Sequence, residues 1–506
     1  MATSWQTYPV KFEKGLIDNL GRLEQGTNAP GSATTLQNFE NSVEGGYAKI
    51  LGYAKFSDTE VTGTGQIAGV VSVNTGKVLT ARDGKYYTGT GTTWTEKATA
   101  ANLGFSRFRA DRFNFDGQEK IAVVDGLNDP AYYNTVTEVM DYDTSAPSDV
   151  TGASFVKSFK NHIFFAKGNL LTFTAPYDET DFNTGNGAGV INVGADITGL
   201  IVFREQLIIF SIDRIQRLTG NGEADFILQP IASNTGCLNG DTVQEIGGDI
   251  LYLGPDGIRF LSATQKNDDF ALDLASRKIS EVFTNFIKRT SIYSSLVIRG
   301  KNQYRVFGYS PSLTRKVSEG FAGTIFSDQS VDDIGWSKLS GIKVYAADSR
   351  QYGNIERIIF CSDTGYIYSM EVGNSFDGME IPAIFETPFF PFDDPRVRKT
   401  IYKHTLYVSV KGDFNFQVSV KLDYRAVGVI QPPAFRLSSE GVTAAVYGSP
   451  TSVYGTSLYG DAAQNLYTNL VEGSGFTFAL RYEDVSVNPS FNLDYAILEY
   501  TPNERR

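Results

Sequence analysis

The residue types that most often do chemistry are scarce in this chain and far apart. The only histidines are His162 and His404, and the only cysteines are Cys237 and Cys361. No pair has the spacing of zinc ligands. His162 begins an apolar stretch, which favours a buried structural histidine over a general base, and the isolated cysteines are expected to be small buried hydrophobes of a protein matured in a reducing compartment. We therefore predict no catalytic, cofactor or metal site.

A basic cluster precedes His404. Arg396, Arg398 and Lys399, followed by Lys403, could contact a phosphate. A charge run of this kind more often forms a solvated face or a subunit contact. We favour a solvated face or a subunit contact over a phosphate contact.

Glycine-rich and acidic stretches give no specific signal. GTGQIAG (63–69) and GNGAGV (185–190) lack the lysine and the following helix of a phosphate-binding loop, so turns are expected. DYD (141–143) and NDD (267–269) lack the twelve-residue frame of a calcium loop and indicate surface acid. ARDGKYYTGTGTTW (81–94) faintly resembles the Asp-box turn of sialidase propellers, where that turn is structural, so a propeller glycosidase is the last of our alternatives.

The composition indicates a β-rich protein with helix in the minority. Its 506 residues include 50 Gly, 27 Tyr and 35 Phe, which suit many short strands joined by tight turns. The net charge of −12 argues against a broad nucleic-acid-binding face. No stretch fits a secretion signal or a membrane span, so we expect a soluble protein made in a cytoplasm.

The stretch GLIVFREQLIIFSIDRIQRLTG (199–220) predicts a tight β-hairpin. As a helix, its apolar residues would cover every face, whereas as strands they form two β-branched runs around a three-residue polar turn. Similar strand-turn-strand stretches begin at 77, 120, 162, 249, 302 and 357, at intervals of roughly 40 to 55 residues, typical of β-propeller blades. We predict a β-propeller over 61–375, with about six blades at roughly 50 residues each.

One amphipathic helix interrupts the strands. In SRKISEVFTNFIKRT (276–290), an apolar stripe runs from Ile279 to Ile287 at helical spacing, and Ser276 is a plausible N-cap. Packing of the stripe within the chain is favoured over packing on a neighbouring subunit.

The two ends of the chain differ from the middle. Longer alternating strands over 376–506 predict an antiparallel β-sandwich, interrupted by a loop with Tyr-Gly pairs at Tyr447, Tyr454 and Tyr459. Residues 1–60 have few strand runs and are interpreted as an arm that packs on other parts of the chain or on a partner.

Three stretches resemble one known family. LIDNLGRLEQGTNAPGSATTLQNFENSVEGGYAKILGYAKF (16–56) is similar to the amino-terminal signature of short-tailed bacteriophage nozzle proteins, also called tail tubular protein B or packaged-DNA stabilisation proteins. The 199–220 hairpin with the following ILQPIASNTGCLNGDTVQEIGGDILYLGPDGIRFLSA looks like the family's central blades. IFETPFFPFDDPRVRKTIYKHTLYVSV, with the terminal LEYTPNERR, resembles its carboxy-terminal β-domain.

The resemblance implies a structural virion protein rather than an enzyme. Family members resemble a six-bladed propeller on a β-platform, and six copies form a ring below the portal and adaptor. The ring retains packaged DNA and conducts it on ejection without sequence-specific binding. The expected partners are further copies, the tail adaptor and tail fibres or spikes, in a virion assembled in the host cytoplasm. The resemblance gives these candidate adaptor or subunit contacts: Gly45, Gly46, Tyr47, Tyr53, Arg396, Arg398 and Lys399.

A host-surface binding or fibre-attachment protein is the alternative. In that case Tyr447, Tyr454 and Tyr459 would present aromatic rings to a sugar or a protein. An acidic lining of the nozzle channel would repel phosphates and let DNA slide, which is a further expectation of the nozzle hypothesis.

Overall fold

The fold was analysed in a computed structural model, which describes residues 5–261, 274–310, 317–326, 334–392, 394–410, 412–438 and 464–503. The protein is all-β with several small antiparallel sheets, as the composition predicts. The 199–220 stretch forms the predicted hairpin, with strands Ile197–Phe203 and Gln206–Ser211 joined at Arg204 and Glu205, both at positive φ.

Seven sheets follow one another along the middle of the chain, and we number them in that order. Sheets 1 to 4 each have four strands. Their bounds are Ile67–Ser72, Val78–Arg82, Lys85–Gly89 and Trp94–Thr99; Arg109–Phe113, Lys120–Val124, Ala131–Asn134 and Met140–Tyr142; Phe155–Phe159, His162–Lys167, Leu170–Phe173 and Gly189–Asn192; and Ile197–Phe203, Gln206–Ser211, Arg214–Thr219 and Ile227–Ser233.

Sheets 5 to 7 complete this series. Sheet 5 has three strands among the described residues, sheet 6 has four in sequence, and sheet 7 takes its fourth strand from the amino-terminal segment. The bounds are Gln244–Ile246, Asp249–Gly254 and Gly257–Phe260; Ile292–Ile298, Gln303–Ser310, Val317–Ile325 and Ile334–Ser340; and Ala346–Tyr352, Ile355–Cys361, Ile367–Met370 and Tyr53–Lys55.

Sheet 6 continues into the carboxy-terminal part of the chain. Its last strand pairs in parallel with Thr35–Gln37, which pairs on its other side with Ile381–Glu386. The ladder then runs through Phe478–Ser486, Asn415–Leu422 and Phe435–Ser438, which gives nine strands in all. The two parts of the chain therefore share one backbone hydrogen-bond ladder.

A second, six-stranded sheet lies against the carboxy-terminal half of this ladder. Its strands are Phe39–Asn41, Tyr47–Lys49, Phe491–Pro502, Lys399–Val410, Gln464–Gly475 and Gln6–Lys11. The buried faces of both sheets contribute to one hydrophobic cluster, in which Phe416 stacks on Phe491 at 5.0 Å and Phe385 on Tyr482 at 5.5 Å. We call this pair of sheets the two-sheet unit.

The described helices are few. Helix α1 is Arg22–Asn28, and helix α2, Ser280–Arg289, follows a short 3-10 turn at Arg277–Ile279. Further 3-10 turns are Thr184–Asn186, Glu223–Asp225, Gly240–Thr242, Arg299–Lys301 and Asp423–Arg425.

Helix α2 packs within the chain, as its apolar stripe predicts. Phe283 and Phe286 are buried and contact Phe321 at ring-centroid distances of 5.1 and 5.3 Å. The predicted cap is wrong, because the Ser276 hydroxyl accepts a hydrogen bond from the Ile258 amide instead. The carboxylate of Asp18 accepts from the amide of Val282 at 2.7 Å and so caps the helix from the amino-terminal segment.

Candidate functional site

All seven sheets contribute residues to the lining of one cavity of about 290 Å³. Each sheet presents its first strand, or the turn that leads into it, to this cavity. The lining comprises Val70 and Val71, Arg109 and Ala110, Phe155 to Lys157, Leu200 and Ile201, Gly240 to Gln244, Ser294 and Ser295, and Ala346 to Asp348. First strands of neighbouring sheets also contact one another directly at several of these boundaries.

Two arginines and one aspartate dominate the cavity's electrostatics. Arg109 holds the Asp241 carboxylate through one edge of its guanidinium, Nε to Oδ1 at 2.7 Å and Nη2 to Oδ2 at 2.8 Å. Arg107 adds a third cationic nitrogen at 3.3 Å. The Arg109 guanidinium also lies 4.3 Å from the centre of the Phe155 ring. Burial would raise the pKa of Asp241, but Arg107 and Arg109 hold it below its ordinary value.

The other charged groups of the cavity are also engaged within the chain. Lys157 contacts Asp111 at 2.7 Å, and the Asp348 carboxylate accepts from the Ser72 amide at 2.8 Å. Burial raises the pKa of Asp348 above its ordinary value. The hydrogen bond from Ser72 and the nearby arginines act in the opposite direction, but their effect is smaller. The lining contains neither histidine nor cysteine. The arrangement neutralises its own charges and holds the sheets together, and it provides no pairing of nucleophile with general base.

The histidines and cysteines are buried structural groups. His162 Nδ1 lies 2.6 Å from the Thr174 carbonyl, and His404 Nε2 lies 2.9 Å from the Tyr482 hydroxyl. Burial lowers the pKa of His404 to about 4. Both cysteines are free and buried, as predicted, and burial raises the pKa of Cys237 to about 12 and that of Cys361 to about 11. Across the described ranges, no three His, Cys, Asp or Glu residues are grouped so as to hold a metal ion.

The Asp-box-like stretch forms a local turn. Asp83 accepts hydrogen bonds from the amides of Thr64 at 2.6 Å and Gly65 at 2.8 Å. Arg82 donates to the carbonyls of Val61 and Gly65. These contacts fix the entry into sheet 1, which is a structural role.

Two of the candidate contact residues near the amino terminus have buried side chains. Tyr47 is fully buried, and its hydroxyl contacts the Gly31 carbonyl at 2.8 Å and the Gly15 amide at 3.1 Å. Tyr53 packs among Phe360, Tyr368 and Phe376, each about 5.2 Å away. Both rings are therefore engaged within the chain.

Gly45 and Gly46 form the turn between two strands of the six-stranded sheet, and both have positive φ. Gly45 is exposed with open space around its Cα, whereas a side chain at Gly46 would meet the Leu493 carbonyl. Of the four amino-terminal candidates, Gly45 is the most accessible.

The basic cluster also contains both exposed and buried residues. Arg396 is exposed and pairs with Asp394, and Arg398 is exposed and donates to Ser474. Lys399 is buried, and its ammonium donates to the carbonyls of Pro391 and Asp394. Arg396 and Arg398 remain candidate contacts, whereas Lys399 organises the start of its own strand. The candidate aromatic loop with Tyr447, Tyr454 and Tyr459 lies outside the described residues.

Comparisons with known proteins found only remote matches, all of them to solved structures. No family model matches the chain, and no curated protein matches it. Similar solved structures include the extracellular domain of BT4673 from B. thetaiotaomicron (11% identity, TM-score 0.41), the AfRom2 CNH domain (10%, 0.40) and the WD40 β-propeller domain of Doa1 (10%, 0.38). The matches cover 63%, 64% and 63% of this chain, and 40%, 100% and 96% of those chains. Within the described part of the chain, no helix is both long and apolar enough to cross a membrane.

Proposed function

We propose that this chain is the subunit of a bacteriophage short-tail nozzle. Six copies form a ring below the portal and adaptor, retain packaged DNA, and conduct it through the centre of the ring during ejection. The proposal combines the sequence resemblance with one structural observation, the way in which the amino-terminal segment joins the two halves of the chain.

This segment contributes strands to three different sheets. Tyr53–Lys55 completes sheet 7, Thr35–Gln37 joins sheet 6 to the two-sheet unit, and Gln6–Lys11, Phe39–Asn41 and Tyr47–Lys49 belong to the six-stranded sheet. Two buried ionic contacts reinforce these joints: Lys49 with Asp484 at 2.6 Å and Arg305 with Glu40 at 2.9 Å. The two halves consequently form one stiff block, as a subunit of a load-bearing ring requires.

The proposed architecture is a seven-bladed propeller on a β-sandwich platform. The cavity lining by seven sheets supports seven blades in place of the six estimated from sequence spacing. The sequence estimate divided residues 61–375 by a mean blade length. It could not anticipate that the last blade takes a strand from residues 53–55, which lie before that interval. The two-sheet unit is the proposed sandwich platform. Its strands at residues 6–11, 39–41 and 47–49 support an arm that belongs largely to the proposed platform.

In this proposal the DNA passes through the central opening that the six copies surround. The cavity inside each chain is filled with paired charges and belongs to the subunit's own packing. The expectation of an acidic lining therefore concerns the surface that faces the centre of the ring, where phosphates would be repelled.

The test is the mass and shape of the purified protein. Light scattering and negative-stain electron microscopy, alone and with a candidate tail adaptor, should show six-fold rings with a central opening. A persistent monomer in both conditions contradicts the nozzle. A trimer that binds glycans would instead support the host-surface binding protein.

A further inference from the structure

We infer that neighbouring copies in the ring contact each other through a loop of the two-sheet unit and an acidic pocket on sheet 2. This inference rests on the proposed ring. It names the two surfaces on one chain that would meet only between copies: the apolar loop, residues 423–431, and the acidic pocket, lined by Tyr132, Val139, Asp141, Asp143 and Glu179.

The apolar loop presents two aliphatic side chains directly to solvent. Val427 is fully exposed and Ile430 is 92% exposed, and around Gly428 there is open space. Burying an aliphatic side chain of this size is favourable relative to leaving it in water. Two such side chains at a loop tip are unfavourable in an isolated chain and favourable at an interface.

The base of the loop is held firmly. Asp423, Tyr424 and Arg425 all have positive φ, between 47 and 59°, an uncommon conformation for three successive residues with side chains. Asp423 anchors this turn by accepting from the Phe476 and Thr477 amides at 2.7 and 2.9 Å. Gln431 closes the other side by bonding both the amide and the carbonyl of Leu422. The loop is thus prepared for binding, and little conformational entropy would be lost on docking.

Two arginines lie beside the loop, although the chain as a whole is acidic. Arg22 and Arg425 lie around a pocket that they share with Glu386, Phe389 and Tyr424. Arg425 pairs with Glu386, and Arg22 is exposed at the edge. An acidic surface with nearby apolar side chains would complement this combination.

The acidic pocket has that combination and a volume of about 460 Å³. Its lining has three carboxylates, those of Asp141, Asp143 and Glu179, against the single ammonium of Lys120. Glu179 pairs with Lys120 at 2.5 Å. Asp143 is itself buried, whereas Asp141 is exposed and is the carboxylate that a second copy can reach. Val139, 49% exposed, supplies apolar surface in the lining of this pocket.

The occupant of the pocket is therefore a second copy of this chain. The loop belongs to the two-sheet unit and the pocket to sheet 2, so the contact joins different surfaces of two copies. Such heterologous contacts generate closed rings when the rotation between copies closes. Opposite charge and matched apolar groups give this pairing its orientation.

The test is a charge exchange across the proposed contact. Arg22→Glu and Ile430→Asp should each raise the concentration needed for half-assembly by about tenfold or more, with folding by circular dichroism unchanged. Arg22→Glu combined with Asp141→Arg should restore assembly. Val190→Asp, at an aliphatic side chain that is 51% exposed on sheet 3, is the matched control and should assemble normally.

The outcomes separate this contact from the nozzle itself. Rings in the wild type and in both single variants would overturn the loop contact and leave the nozzle standing. Loss of rings in the single variants without rescue by the double variant would overturn the pairing with the acidic pocket. A wild-type protein that remains monomeric with the adaptor would overturn both proposals.

Discussion

The guanidinium of Arg305 contacts the carboxylate of Glu40 at 2.9 Å, although the two residues are 265 positions apart and both are buried. Glu371 approaches the same guanidinium at 2.7 Å, and Lys301 pairs with both carboxylates. Sheet 6, the end of sheet 7 and the amino-terminal segment thus meet at one ionic network. Burial opposes the ionisation of Glu371, yet Arg305 and Lys301 hold the pKa of this carboxyl below its ordinary value.

Arg305→Met should destabilise the folded chain by about 3–5 kcal/mol, because two buried carboxylates would be left with one ammonium. Chemical denaturation measures the change. Arg214→Met is the matched control, since its pair with Asp213 is largely exposed, and it should leave the unfolding free energy close to that of the wild type. Equal losses in the two variants would show that the network does not join the segments energetically.

Acidification should destabilise the protein through His404. The pKa of this residue is about 4 in the folded chain and 6.5 in its ordinary state, so the unfolded chain binds the proton more tightly. The stability is fully present above pH 6.5 and is lost as the pH falls towards 4, by about 3 kcal/mol at most.

His404→Gln keeps a polar group near Tyr482 without a titrating ring. The difference in unfolding free energy between pH 7 and pH 4.5 should therefore be smaller in this variant than in the wild type. An identical pH dependence in both proteins would show that protonation of His404 does not cause the loss of stability at low pH.

Asp18→Ala should destabilise the protein by about 1 kcal/mol, since the first turn of helix α2 would lose its acceptor for the Val282 amide. Urea denaturation gives the free energy, and proteolysis around residues 280–289 reports fraying of the helix. Asp213→Ala, on an exposed pair, serves as the control and should leave the stability essentially unchanged. An intact helix terminus in Asp18→Ala would mean that the cap is dispensable.

Gly52→Ala should prevent the closing strand Tyr53–Lys55 from docking on sheet 7. A side chain at Gly52 would lie 1.9 Å from the Ser375 carbonyl oxygen, a backbone atom that cannot move aside cheaply. We expect a loss of more than about 3 kcal/mol, or insoluble protein. Gly222→Ala is the control, because nothing lies within 4 Å of its new side chain. Wild-type stability of Gly52→Ala would contradict the closure of sheet 7 by this segment.

Local patterns predicted local structure well. The 199–220 hairpin and helix α2 could be identified because two-residue and 3.6-residue periodicities are written in contiguous residues. The burial of His162 followed from its apolar neighbours, and that of the two cysteines from their isolation in the sequence. The helix cap could not be identified in this way, because Asp18 lies more than 250 residues from the helix that it caps.

Long-range pairing was not readable from one sequence. The strands of residues 6–55 are short and polar, and their partners at 338, 370, 384 and 492 are far away along the chain. The central Arg109–Asp241 pair spans 132 residues and has no motif. Aromatic residues such as Tyr47 and Tyr53 looked like contact residues in the amino-terminal stretch, but their rings are buried within the chain.

The continuous nine-stranded ladder has a mechanical consequence. Force applied between sheet 6 and the two-sheet unit acts on the backbone hydrogen bonds of Thr35–Gln37, whose register with its neighbours is short, and on the buried Arg305–Glu40 contact. Under tension this three-residue strand is the weakest element of the ladder, and the remaining strands carry longer registers. Rupture in a pulling experiment should begin there, so that the seven sheets and the two-sheet unit separate as two intact pieces before either one unravels.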